Sequence, residues 1–223
     1  MNLDPLSIKS TPVIVTDNDI AFLGCSYTAG TSSPNTATRY STLVAQQYNK
    51  KEINLAKGGV GNYRNFDLFG QTMFEPGSVL ILQLTELSRV RWYDNRIIDQ
   101  QLSVKPDKIL MHVYNDKFLI YDLIRQLRII VKYCRSTQIK LVIWSNASLG
   151  NTELDTVLEQ YLSEFPEYLY LNKRISQPDS YRVDNGLDGA NQELGVGHPG
   201  PESNKIIAQR VIEQYNKLYD TIC

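Results

Sequence analysis

Short apolar runs recur along the chain, and the segments between them carry apolar residues at helical spacing. Ile20-Ala21-Phe22-Leu23 reads as a first strand and Glu52 to Leu55 as a short second one. Val79-Leu80-Ile81-Leu82-Gln83-Leu84, bounded by Pro76-Gly77, is the strongest strand pattern, followed by Lys140 to Trp144 and Tyr168 to Leu171. Helical spacing runs through Thr38 to Asn49, Tyr63 to Phe74, Lys117 to Cys134, Glu153 to Ser163 and Ser203 to Tyr219. Strands that are apolar throughout are buried on both faces, and their alternation with helices predicts a parallel sheet covered on both sides. The expected fold class is therefore α/β, a three-layer α/β/α sandwich. Arg91 to Asn115, which carries Trp92, Tyr93, Met111 and Tyr114, follows neither period and is expected to be an irregular insert near the site.

Three punctuations in this pattern carry the candidate chemistry. The first strand ends at Gly24-Cys25-Ser26-Tyr27-Thr28-Ala29-Gly30, which holds a hydroxyl at the carboxyl end of a buried strand. In open parallel sheets that edge is where ligands bind. Ser26 could equally cap a following helix. The second is the glycine-rich turn Gly58-Gly59-Val60-Gly61-Asn62. The third is His198-Pro199-Gly200-Pro201, just ahead of the last helix.

A serine hydroxyl needs a base within hydrogen-bond reach to act as a nucleophile. The chain has 2 histidines, His112 and His198. His112 lies between apolar residues in Leu110-Met111-His112-Val113, which suits a satisfied, partly buried ring. His198 sits in a loop of small residues and prolines, which suits a base, although it could also serve only to shape that loop. Cys25 is a second candidate nucleophile and is expected to pack inward as a small hydrophobe.

Composition narrows the classes. With 223 residues and 42% hydrophobic content, one domain spanning 1–223 is expected. A net charge of −1 with interspersed signs points away from nucleic acid and anionic membrane surfaces. The 3 cysteines have no metal-ligand spacing, so reduced thiols, no structural metal and no cofactor are expected. No apolar stretch reaches membrane-spanning length, because Asp122, Arg125, Arg128 and Lys132 interrupt Phe118 to Cys134. Met1 to Pro5 lacks signal-peptide character, and a cytoplasmic location is the expectation.

From Ile20 to nearly the carboxyl terminus, the chain resembles a divergent SGNH hydrolase of the GDSL esterase/lipase superfamily. Gly24-Cys25-Ser26 stands where that family has Gly-Asp-Ser, so the serine matches and the aspartate does not. Asn54-Leu55-Ala56-Lys57-Gly58-Gly59-Val60-Gly61-Asn62 is similar to its second motif, with Gly59 the best match for the oxyanion glycine and Gly58 its rival. Gly195-Val196-Gly197-His198-Pro199 keeps the final His-Pro and has glycine in place of the acid. The third motif, Gly-x-Asn-Asp, is replaced by Leu84-Thr85-Glu86-Leu87.

The resemblance implies a central five-stranded parallel sheet of order 2-1-3-4-5 and a serine esterase acting on a small acyl or O-acetyl ester, carbohydrate esters included. Ser26 and His198 would be catalytic. The backbone N–H groups of Ser26 and Gly59 would form the oxyanion hole, with Thr85 or Asn62 standing in for the missing side-chain amide. Glu193 is the nearest upstream carboxylate for a third triad member, with Asp188 and Asp184 behind it, and some relatives work as Ser–His dyads. Arg89 could meet an anionic substrate group. An O-acyltransferase acting on a carbohydrate and a non-catalytic SGNH-like binding domain remain open. A flavodoxin-like nucleotide binder is disfavoured, because neither Gly-x-Gly-x-x-Gly nor a P-loop motif is present.

Overall fold

Alternate residues of each central strand are buried in opposite directions, and this sets the layers. In the computed structural model, which describes residues 12–31, 35–85, 87, 89–93, 97–101, 116–145, 152–171, 180, 183–184 and 198–220, the first elements are β1 (Ile14–Val15), β2 (Asp19–Leu23), the short helix α1 (Ser26–Ala29), α2 (Tyr40–Gln47) and β3 (Lys51–Asn54). Next come α3 (Asn62–Gln71), β4 (Met73–Phe74), β5 (Val79–Leu84), β6 (Arg89–Tyr93) and β7 (Ile97–Gln101). The chain continues through α4 (Asp116–Ser136), β8 (Lys140–Ser145), α5 (Thr152–Leu162), β9 (Tyr168–Tyr170) and α6 (Pro201–Tyr219).

Five strands form the central sheet in the order β3-β2-β5-β8-β9. All of its pairings are parallel. Numbered by sequence within the sheet, this is the expected order 2-1-3-4-5. Ala21, Leu23, Leu80, Leu82, Leu141 and Ile143 face one way, against α4, α5 and the apolar side of α3. Ile20, Phe22, Val79, Ile81, Val142 and Trp144 face the other way, against α2 and α6. Fully burying one such side chain contributes about 1.5–3 kcal/mol, and truncating one to alanine costs about 2–5 kcal/mol.

Two small sheets depart from the sequence reading. The helix expected from Tyr63 to Phe74 stops at Gln71. Met73 and Phe74 leave it to pair in parallel with Ile14 and Val15, with Met73 N–H donating to Val13 O at 2.9 Å. That tertiary pairing outweighs the helical period. The insert at 91–115 is not wholly irregular either. β6 and β7 form an antiparallel pair with Arg91 opposite Asp99 and Trp92 opposite Ile98, while 102–115, His112 among them, lie outside the described residues.

Candidate active site

Ser26 lies at the carboxyl edge of the central sheet, as the first residue of α1 directly after β2. The turn between them depends on Gly24. A Cβ there would lie 2.3 Å from Thr28 Oγ1 and 2.7 Å from Gln83 Oε1, so only glycine fits. Gly30 ends α1 with φ +68°, a left-handed conformation that glycine adopts without strain.

A chain of buried hydrogen bonds fixes this turn. Trp144 Nε1 donates to Tyr40 OH at 3.1 Å, and Tyr40 OH lies 2.8 Å from Thr28 Oγ1. Thr28 Oγ1 donates to Gln83 Oε1 at 2.6 Å, and Cys25 N–H donates to the same oxygen at 3.2 Å. Threonine has one hydroxyl proton, so Tyr40 must be the donor in its pair with Thr28. Burial pushes the Tyr40 pKa up and keeps that proton in place. The polarity therefore runs Trp144 to Tyr40 to Thr28 to Gln83, with Cys25 N–H converging on the same acceptor. Gln83 Nε2, also buried, has no partner among the described residues. At the other end of α1, Asn54 Nδ2 donates to Thr28 O at 2.7 Å and Arg39 donates to Ala29 O at 3.3 Å.

Ser26 is 8% exposed, and its hydroxyl donates to Cys25 Sγ at 3.9 Å. Cys25 is buried beneath it, its thiol 3.5 Å from Gln83 Oε1. The glycine turn passes beside the serine. A Cβ on Gly58 would lie 3.7 Å from Ser26 Cβ, whereas Gly59 has φ +76° and open space around it.

Thr85 and Asn62 are joined across the end of β5. Asn62 Nδ2 donates to Thr85 O at 3.1 Å, and Thr85 N–H donates to Asn62 Oδ1 at 2.8 Å. One N–H of the Asn62 amide remains beyond this pair. Thr85 Oγ1 is buried without a partner among the described residues. Asn65, one turn further along α3, is fully buried, and neither of its amide atoms has a partner among the described residues.

His198 is half-buried. Its ring stands edge-to-face against Tyr27, the residue after Ser26, with centroids 5.5 Å apart and an interplanar angle of 73°. The loop that carries it is tied down by the start of α6. Asp184 Oδ1 accepts Ser203 N–H at 2.7 Å and Oδ2 accepts Glu202 N–H at 2.9 Å, so this carboxylate caps α6 from a distance. Asn204 accepts Tyr40 N–H at 3.4 Å and donates to Pro199 O at 3.3 Å, linking His198's loop to α2. Glu193 and Asp188 lie outside the described residues, and Arg89 begins β6.

Sequence reasoning passed over Gln83, Thr28, Tyr40 and Asn65. Gln83 had a signal, since it is the lone polar side chain in an otherwise apolar strand. A cavity of about 770 Å³ between α4 and α5, lined by Ile120, Tyr121, Ile124 and Tyr161 among others, touches none of the candidate residues. No group of ligating side chains suited to a metal ion occurs among the described residues. None of the described helices is long and apolar enough to cross a membrane.

No family model matches the sequence, and no curated protein matches it. Solved structures do. An esterase, EstA, from Pseudoalteromonas sp. superposes with a TM-score of 0.55 at 12% identity, covering 92% of this chain and 100% of that one. A putative lipolytic protein of the G-D-S-L family from Desulfitobacterium hafniense gives 0.55 at 12% identity over 88% and 99% of the two chains. The fold is that of the SGNH esterases. An acetyl xylan esterase (Est2A) from Butyrivibrio proteoclasticus gives 0.52 at 14% identity. That match covers 95% of the present chain, which spans 66% of the length of the acetyl xylan esterase.

Proposed function

We propose that the protein is a serine esterase that cleaves a small acyl or O-acetyl ester, with carbohydrate esters among its candidate substrates. The observation that carries this reading is the pairing of Ser26, fixed at the carboxyl edge of the sheet, with a histidine ring packed on the residue next to it. The esterase fold supports it.

In the proposed reaction, Ser26 Oγ attacks the ester carbonyl carbon as His198 takes its proton. The tetrahedral oxyanion is held by the backbone N–H groups of Ser26 and Gly59 and by the Thr85 hydroxyl, whose oxygen has no protein partner among the described residues. Asn62 enters this set chiefly by holding the Thr85 backbone from both sides. His198 then protonates the leaving alkoxide, the C–O bond breaks, and the acyl group stays on Ser26. Water, deprotonated by His198, releases the acid and restores the serine. Loss of one oxyanion donor costs on the order of 10²–10³ in kcat.

Both Asp184 oxygens accept backbone N–H groups of α6, which favours a cap over a triad role for this carboxylate. We read the site as a Ser–His dyad, with Glu193 the first carboxylate to test. A true triad acid costs on the order of 10⁴-fold in kcat when removed, so Glu193→Gln and Asp188→Asn should each cost far less than His198→Ala. One of them matching His198→Ala while still folded would identify the acid.

The deciding experiment is fluorophosphonate labelling with hydrolysis of short p-nitrophenyl and acetylated sugar esters. Ser26→Ala should abolish both labelling and turnover, and Cys25→Ala should keep most of each. A second reading, a non-catalytic domain that binds carbohydrate, draws on the Ser26 hydroxyl being turned to Cys25 Sγ. Wild-type protein inert to probe and esters alike would favour it.

A further inference from the structure

We propose that Tyr27 positions the imidazole of His198, doing by ring contact part of what a carboxylate does in a triad. The inference rests on the reading of Ser26 and His198 as nucleophile and base. Tyr27 follows Ser26 within the same four-residue helix. Its ring packs on the buried cluster between the sheet and the α2 and α6 layer, whose members include Phe22, Tyr40 and Ile207. The same ring meets His198, at 5.5 Å between centroids and 73° between planes.

This arrangement references the base to the nucleophile. The Gln83 oxygen fixes the start of α1, Asn54 and Arg39 fix its end, and Tyr27 moves with the same short helix. A base packed on that ring keeps its distance to Ser26 even if the loop carrying it shifts. Edge-to-face rings with centroids 4.5–7 Å apart attract one another. The contact thus holds the imidazole in place before reaction. The nearest described carboxylate upstream, Asp184, is committed to the α6 cap.

The test is a comparison of Tyr27→Phe and Tyr27→Leu. Phenylalanine keeps the ring, and leucine keeps an apolar contact with the cluster while losing the ring. The contact energy of an aromatic pair, together with the sensitivity of catalysis to misplaced groups, sets the expectation. Tyr27→Leu should lower kcat roughly tenfold with KM within about twofold, and Tyr27→Phe should stay within about threefold of wild type. Proton NMR provides an independent readout. The His198 ring resonances, separated from those of His112 in a His112→Gln variant, should carry a ring-current displacement that survives in Tyr27→Phe and vanishes in Tyr27→Leu.

Wild-type kcat in Tyr27→Leu, or an equal loss in both variants, would overturn the role of the ring while leaving the esterase reading intact. Wild-type protein that neither labels nor turns over would overturn the esterase reading and, with it, the role of Tyr27.

Discussion

The two halves of the candidate site are held in different ways. Around Ser26, side chains from β5, α2 and β8 converge through short buried hydrogen bonds, and the turn has no room even for a methyl group at Gly24. Around His198, the described support includes a ring contact with Tyr27, a helix cap from Asp184 and a link from Asn204 to α2. The candidate nucleophile is built into the sheet edge, whereas the candidate base precedes a helix. Damage to the first half should therefore act on folding and chemistry together. Damage to the second should separate them.

The sharpest way to break this comparison is Gly24→Ala. Its methyl group would overlap Thr28 Oγ1 and Gln83 Oε1 at 2.3 and 2.7 Å, so the turn must open. Overpacking costs about 1–3 kcal/mol, and a displaced nucleophile should lower kcat about 100-fold or more. Chemical denaturation and ester kinetics measured on one sample check both halves of that statement.

Gln83→Leu comes next. It removes the acceptor shared by Cys25 N–H and Thr28, and each stranded buried donor costs about 1–3 kcal/mol. Stability and kcat should fall together. A stable variant with normal kcat would show that the turn does not depend on this hydrogen-bond chain.

Asp184→Ala should split the two effects. Loss of the cap costs about 0.5–2 kcal/mol, while kcat per folded molecule should drop by less than about tenfold, far below the 10⁴-fold loss of a triad acid. Asn65→Leu tests the opposite sign. Its amide has no described partner, so a nearly isosteric apolar side chain should raise stability by about 1 kcal/mol, read as a higher thermal midpoint.

The smallest effect is expected far from the site, at Asp19. Burial raises its pKa, but hydrogen bonds from the Thr16 hydroxyl and amide outweigh that and hold it below the ordinary carboxylate value. A depressed folded-state pKa contributes stability above the unfolded value and loses it as pH falls through the folded one. Asp19→Asn should therefore flatten the acid side of the stability curve by less than about 1 kcal/mol. An unchanged acid limb would refute that assignment.

The middle of the sheet was legible because burial on both faces turns β2, β5 and β8 into nearly continuous apolar runs, as in Val79 to Leu82. β1 and β4 were not legible, since a two-residue strand has no period and exists only through its partner. β6 had an alternating signal in Arg89-Val90-Arg91-Trp92, masked by the polar character of Asp99-Gln100-Gln101 opposite. Ser26 and His198 could be singled out because glycine and proline mark their turns. The network beneath Ser26 could not, because Thr28, Tyr40 and Trp144 read individually as helix or core residues. Only the fold reveals that their polar atoms meet. The capping role of Asp184 was hidden for a similar reason: a cap supplied from outside the helix leaves no local pattern.

The bond between Tyr40 and Asn204 joins residues 164 positions apart in the chain. Closing so long a loop is entropically costly, and contacts of such separation form late and slowly. Tyr40 belongs to the chain of donors that orders Ser26, while Asn204 belongs to the helix that presents His198. During synthesis the early strands can assemble around β5 long before α6 leaves the ribosome. On the esterase reading, Ser26 and His198 meet only once α6 docks on α2, so activity should appear in one step with that docking.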